Sequence, residues 1–214
     1  ERHNSFGKTE MWYVLQADPD SNLIVGFNQE MTQELYVKHL EEKTLQSILN
    51  FDAVKAGDTY FIEVGRIHAI GAGVLLAEIQ QTSDITYRVY DWDRVDADGN
   101  ERELHNDIAL EAFDFDMPEN YRVQYAQNSN ASTELVSCPY FTTNVIDVKE
   151  TVLKENTHDS FMIYMCVAGN ATLEVDGDVT EFSMGETVLI PACIERFSIS
   201  SNHAKLLEVY IELV

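Results

Sequence analysis

The chain has 214 residues, 45% of them hydrophobic, and carries 14 Lys+Arg against 37 Asp+Glu for a formal net charge of -23. That length supports one large domain or two small ones, each with its own core. So acidic a balance excludes a general nucleic-acid surface, where clustered cations must neutralise phosphates, and it opposes docking on anionic lipid.

The chain opens on Glu1-Arg2-His3-Asn4, with no initiator Met and no secretory signal, and is expected to lack an amino-terminal segment. No apolar run approaches the ~20 residues of a spanning helix. Residues 10–15 turn strongly apolar and read as a buried strand with Glu10 at its head. A carboxylate there is costly to bury unless it is paired or metal-bound. Lys8, two positions earlier, leaves the same face of an extended chain, and a plain surface ion pair is the simpler account of the two.

Residues 29–50 place Met31, Leu35, Leu40, Leu45, Ile48 and Leu49 at roughly helical intervals, which predicts a helical insertion with Thr44 capping a second short helix. Residues 58–64, 74–80 and 85–91 are rich in β-branched and aromatic residues and read as strands. His68 follows the first of these, in Gly65-Arg66-Ile67-His68, with Gly71 and Gly73 behind it. Glycines let backbone approach a ligand, and a neutral imidazole at a strand end is a reasonable metal ligand. An isolated histidine is nonetheless more often a core or loop residue. Glu78 and Arg88 interrupt apolar strands; together they form either a buried ion pair that fixes register or a polar pocket where Arg88 stabilises developing negative charge. Residue types alone leave both open. Residues 106–113 are a short helix candidate, with His105 before them.

The polar run 127–132 (QNSNAS) reads as a boundary, dividing the chain into 1–126 and 127–214. Beyond it, residues 140–148, 161–167, 171–175, 186–190, 196–199 and 206–211 read as strands, and Asp176-Gly177 is a hairpin signal. A weak internal repeat relates Gly57-x5-Glu63-x-Gly65-x2-His68 to Gly185-x5-Pro191-x-Cys193-x2-Arg196. Cys138, Cys166 and Cys193 lack CxxC spacing, which fits reduced, mostly buried thiols in a cytoplasmic protein and argues against a cysteine zinc site. His3, His39, His105, His158 and His203 have no metal-site spacing.

Four segments carry a specific likeness: GKTEMWY (7–13), AGDTYFIEVGRIHAIGAG (56–73), LLAEIQQTSDITYRVYDWDRVDADG (75–99) and RELH (102–105). They resemble the type I mannose-6-phosphate isomerases, in particular the short bacterial form. Residues 57–68 are also similar to the second motif of the cupin superfamily, with Glu63 where proline is usual. The resemblance implies a mainly β fold of two cupin-like (jelly-roll) barrels. Residues 1–126 would be the catalytic domain, with the helical insertion at 29–50, and 127–214 a degenerate second one. It implies a zinc-dependent aldose–ketose isomerase that interconverts mannose 6-phosphate and fructose 6-phosphate through an ene-diol, with one Zn2+ per chain. Glu10 and His68 match two metal ligands, whereas the family's Gln-x-His pair has no counterpart in these residues. Arg88 matches the catalytic arginine, Glu78 an active-site acid, and Lys8 the lysine beside the ligand Glu, assigned to substrate. The partner would be a small-molecule sugar phosphate, with no nucleic acid, membrane or protein partner. The alternative is a non-catalytic, metal-free cupin module that binds sugar or regulates.

Overall fold

The computed structural model describes residues 6–212; His3 and the rest of the opening tetrapeptide lie outside them. The chain forms two compact units, one up to Tyr121 and one from Arg122 onward. Both are mainly β.

The first unit contains two three-stranded antiparallel sheets. In one, β1 (Glu10–Ala17) lies between β4 (Thr59–Ile62) and β6 (Val74–Gln80). In the other, β2 (Asn22–Phe27) lies between β3 (Leu49–Ala53) and β5 (His68–Ile70). Trp12, Val14, Tyr60 and Ile62 of the first sheet pack against Leu23 and Val25 of the second. The other face of β2 gives Ile24 and Phe27 to a second cluster, with Met31, Tyr36, Leu45, Ile48 and Ile67. β2 is therefore covered on both sides, and its run of buried residues lacks the alternation that marks a half-exposed strand.

The expected helical insertion at 29–50 is shorter than predicted. Helix α1 (Gln33–Glu41) starts at Thr32, whose hydroxyl accepts from the Leu35 backbone N–H, an N-cap bond. A single 3-10 turn (Leu45–Ile48) follows, and Leu49 already opens β3. Thr44 precedes that turn, but its hydroxyl meets His39 Nδ1 at 2.8 Å rather than capping it. Helix α2 covers only Asn106–Ala109.

The strand expected at 85–91 does not form. Its backbone groups go elsewhere: Ile85 N–H to Ser83 Oγ, Arg88 N–H to His105 Nδ1, and the Arg88 carbonyl to His105 N–H. Val89 and Tyr90 meanwhile pack on the α1 cluster. These bonds, two of them to His105, take the place of a strand ladder there.

In the second unit eight strands join in one sheet system: β7 (Thr133–Ser137), β8 (Thr142–Val148), β9 (Val152–Glu155), β10 (Met162–Val175), β11 (Asp178–Ser183), β12 (Thr187–Ile190), β13 (Arg196–Ser200) and β14 (Ala204–Tyr210). The path runs β7-β8-β14-β10-β13-β9, and β11 and β12 also pair with β10. The stretches 161–167 and 171–175, expected as separate strands, are one. A bulge between Cys166 and Ala168 lets the first half of β10 pair with β12 and the second half with β11 and β13. Asp176 and Gly177 both have positive φ, the geometry of a type I′ turn, and close the β10–β11 hairpin. The core gathers Val148, Tyr164, Cys166, Ile199 and Leu206, among others.

The expectation of buried thiols fails for Cys193, which is exposed on the turn after β12; Cys138 is half-buried and Cys166 buried. Among the described residues, no helix is long and apolar enough to cross a membrane.

Candidate active site

β1 begins at Glu10, whose side chain is fully buried. Antiparallel pairing sets Trp12 of β1 opposite Glu78 of β6. Lys8, just ahead of β1, donates to Glu10 Oε2 and, at 3.0 Å, to Glu78 Oε1. The Trp12 indole N–H donates to Glu78 Oε2 at 3.1 Å. Lys8, Glu10 and Trp12 share one face by the period of two, so this grouping is written in the alternation of GKTEMWY.

His68 enters from the other sheet, at the start of β5, rather than just after a strand as expected. Its Nε2 lies 3.0 Å from Glu10 Oε1, and its ring stands edge-on to Trp12 at 5.3 Å between centroids. Its Nδ1 is 2.7 Å from the Arg66 carbonyl. A carbonyl only accepts, so Nδ1 carries the hydrogen. In the neutral ring, Nε2 then presents a lone pair to a buried carboxylate oxygen that has no hydrogen-bond donor among the described residues. Two facing acceptors need a cation between them: a proton on Nε2, or a metal ion.

Electrostatics at the cluster follow the same arrangement. Burial works to raise the Glu10 carboxyl, and the neighbouring His68 and Lys8 outweigh it, holding that carboxyl below the usual range. Burial works to lower Lys8, and its two carboxylate partners outweigh that and raise it.

Lys8 and His68 line a cavity of about 540 Å³, within the range of small-molecule sites. Arg66, Arg88, Arg94 and Arg102 line it too. With Lys8, these are five of the chain's 14 lysines and arginines, gathered in one cavity of a strongly acidic protein. Arg94 and Arg102 flank Asp91, a residue 7% exposed: Arg94 donates to Asp91 Oδ1, and Arg102 lies 3.6 Å from the same oxygen.

Of the residues singled out in the sequence, Lys8, Glu10 and Glu78 meet in one hydrogen-bonded cluster, and His68 faces it with Nε2 3.0 Å from Glu10 Oε1. Of the two readings left open for Glu78 and Arg88, the ion pair does not form. Glu78 is taken by Lys8 and Trp12, while the Arg88 guanidinium has no hydrogen-bond or ion-pair partner among the described residues. Asp91, Arg94 and Arg102 were not singled out. All three stand in the segment DWDRVDADGNER, where charge is dense but no spacing distinguishes a site residue from a solvated one.

As to a metal, Glu10 and His68 fit as ligands: the carboxylate is buried, and the carbonyl bond to Nδ1 is the usual support for an imidazole that binds metal through Nε2. Among the described residues no group of three or more His, Cys, Asp or Glu side chains is placed to hold an ion.

Comparison with known proteins gives this geometry a context. Residues 131–211 match the family model for the cupin domain of mannose-6-phosphate isomerase. A mannose-6-phosphate isomerase of Bacillus subtilis (strain 168) is 32% identical over 200 residues, covering 92% of this chain and 62% of the relative. The chain thus spans less than two thirds of that relative's length. The crystal structure of the mannose 6-phosphate isomerase from Bacillus subtilis superposes with a TM-score of 0.87 at 27% identity, over 99% of this chain and 67% of that one. The fold is therefore cupin-like. A mannose 6-phosphate isomerase bound with zinc and yttrium shares the fold at a TM-score of 0.71 and 14% identity, over 96% of this chain and 67% of its own.

Proposed function

We propose that this chain, which belongs to the mannose-6-phosphate isomerase family, acts in the zinc-dependent interconversion of mannose 6-phosphate and fructose 6-phosphate, with the sugar phosphate seated in the arginine-lined cavity. The observation that carries the reading is the convergence of Lys8, Glu10, His68 and Glu78 beside a cavity that Arg88 also lines.

The reaction moves a proton between C1 and C2 of the sugar through an ene-diol. Glu10 and His68 are the residues that would hold zinc, and the chemistry zinc supplies when bound is Lewis-acid polarisation of carbonyl and hydroxyl oxygens. Glu78 is the carboxylate available to take the proton from carbon; Lys8 and Trp12 each bond one of its oxygens and fix its direction. Lys8 also presents an ammonium to the substrate side. Arg88, whose guanidinium has no partner among the described residues, is positioned to stabilise the oxyanion that develops as the proton leaves. Arg94 and Arg102, held by Asp91 at the cavity wall, offer donors to a phosphate. Water is excluded on the apolar side by Ile24, Leu45 and Phe113, which line the same cavity.

The test pairs metal analysis after dialysis with a coupled assay of fructose 6-phosphate formation. With two protein ligands, the chain is expected to hold zinc weakly, and to turn over only when zinc is supplied. Stoichiometric zinc retained through dialysis would show that further ligands exist. Sugar-phosphate binding with neither zinc uptake nor turnover would instead favour the metal-free binding module.

A further inference from the structure

Arg66 lines the cavity, yet its charge is spent away from the substrate. Its side chain is 9% exposed. Nη2 donates to Asp114 Oδ2 at 2.6 Å and to Glu63 Oε2 at 3.1 Å, and the guanidinium stands over the Tyr121 ring at 5.5 Å. What Arg66 gives to the site is its backbone: its carbonyl accepts the His68 Nδ1 hydrogen and thereby aims Nε2 at Glu10. The direction of that carbonyl depends on how the turn from Glu63 to His68 is held.

Several contacts hold it. The Asp114 backbone N–H donates to the Gly65 carbonyl at 3.0 Å, and the Gly26 N–H donates to the Ile67 carbonyl at 2.8 Å. Gly65 has φ +94°, and a Cβ there would lie 2.2 Å from the Ala112 carbonyl oxygen, so the turn is pressed directly onto the segment that carries Asp114. Asp114 thus grips the turn twice, by backbone at Gly65 and by carboxylate at Arg66. Of the two carboxylates on Arg66, Asp114 is the closer and the better buried, 24% exposed against 57% for Glu63.

We infer that Asp114 is a positioning residue for His68: by holding the Arg66 end of the turn, it fixes the carbonyl that sets the imidazole's tautomer and aim. The inference rests on the reading of His68 as a metal ligand, but its first readout does not require a metal. In the metal-free Glu10→Gln full chain labelled with 15N-histidine, where the amide supplies a donor to Nε2, and at a pH well above the histidine range, His68 should show the Nδ1–H tautomer. Asp114→Ala added to that chain should give a mixture of tautomers, and Asp114→Ala alone should raise the zinc dissociation constant about 10-fold or more, the usual cost of losing a group that orients a metal-bound histidine. Asp114→Glu should recover part of both. Glu63→Ala, which removes the exposed partner only, should leave both near wild type. If Asp114→Ala does not fold, Asp114→Asn, which keeps the shape and the backbone bond, carries the comparison.

An unchanged His68 spectrum and unchanged zinc affinity in the Asp114 variant would overturn the inference. So would equal losses in the Asp114 and Glu63 variants, which would mark general loosening of the turn. A single tautomer that is lost on Asp114 substitution, beside a wild-type chain that takes up no zinc, would keep the positioning role and sink the metal reading instead.

Discussion

At the scale of single residues, the site separates groups that would meet a metal from groups that would meet substrate. His68 faces Glu10 Oε1, so His68→Ala should lose zinc affinity and turnover together. Arg88 has no part in that pair, so Arg88→Ala should leave zinc uptake unchanged and lower kcat on the order of 10²–10³, the usual loss for one preorganised charge-stabilising donor. Zinc content and coupled turnover measured on both variants check this, and an Arg88→Ala chain with normal turnover would remove Arg88 from the mechanism. Lys8 and Glu10 were legible because a two-residue spacing on a strand has a geometric consequence. Their joining with Glu78 and Trp12 was half legible, since strand alternation gives a face but not the neighbour across the ladder. Asp114 was not legible: it meets Arg66 across 48 positions, and nothing local marks one aspartate among many.

At the scale of elements, turns tell more than strands. Gly65 and Gly177 share nearly the same backbone, φ +94° and +90°, but not the same surroundings. Around Gly177 a Cβ would find open space, so Gly177→Ala should cost only the conformational penalty, about 1 kcal/mol. Gly65→Ala adds a clash with backbone to that penalty, and should cost several times more while displacing His68. Denaturant unfolding of the two variants compares them, and equal losses would show that the turn yields easily. The Asp176-Gly177 hairpin was readable for the same reason, since its geometry lives in two residues. β2 escaped because both its faces are buried, and residues 85–91 misled because β-branched and aromatic content also suits an irregular segment packed on a helix. Long-range pairing decided both, and composition does not encode it.

At the scale of the whole molecule, each unit has a core of its own, and the second also has a charged centre. Glu208, 2% exposed, accepts from Ser132 and Asn144 on Oε1 and from Tyr164 and Lys154 on Oε2, the last two at 2.5 Å. Burial works to raise its carboxyl, and Lys154 with the hydrogen bonds outweighs it, holding it below the ordinary range. A carboxyl lower in the folded than in the unfolded chain stabilises above the unfolded value, about 4.3, and that stability is lost as pH falls through the folded value. Glu208→Gln should therefore cost about 3–5 kcal/mol near neutrality by stranding Lys154, and should flatten the acid slope. Urea unfolding followed by far-UV circular dichroism from pH 3 to 7 reads both effects; a variant that keeps the wild-type slope would place the acid-sensitive group elsewhere. The chain's two tryptophans, Trp12 and Trp92, both precede Tyr121. Tryptophan emission therefore originates in the first unit alone. It combines a red, solvent-facing signal from Trp92, which is 42% exposed, with a blue one from Trp12, which is 2% exposed and bonded to Glu78. An event at the Glu10–His68 pair is written in the blue component alone, so the protein carries its own optical probe of the site.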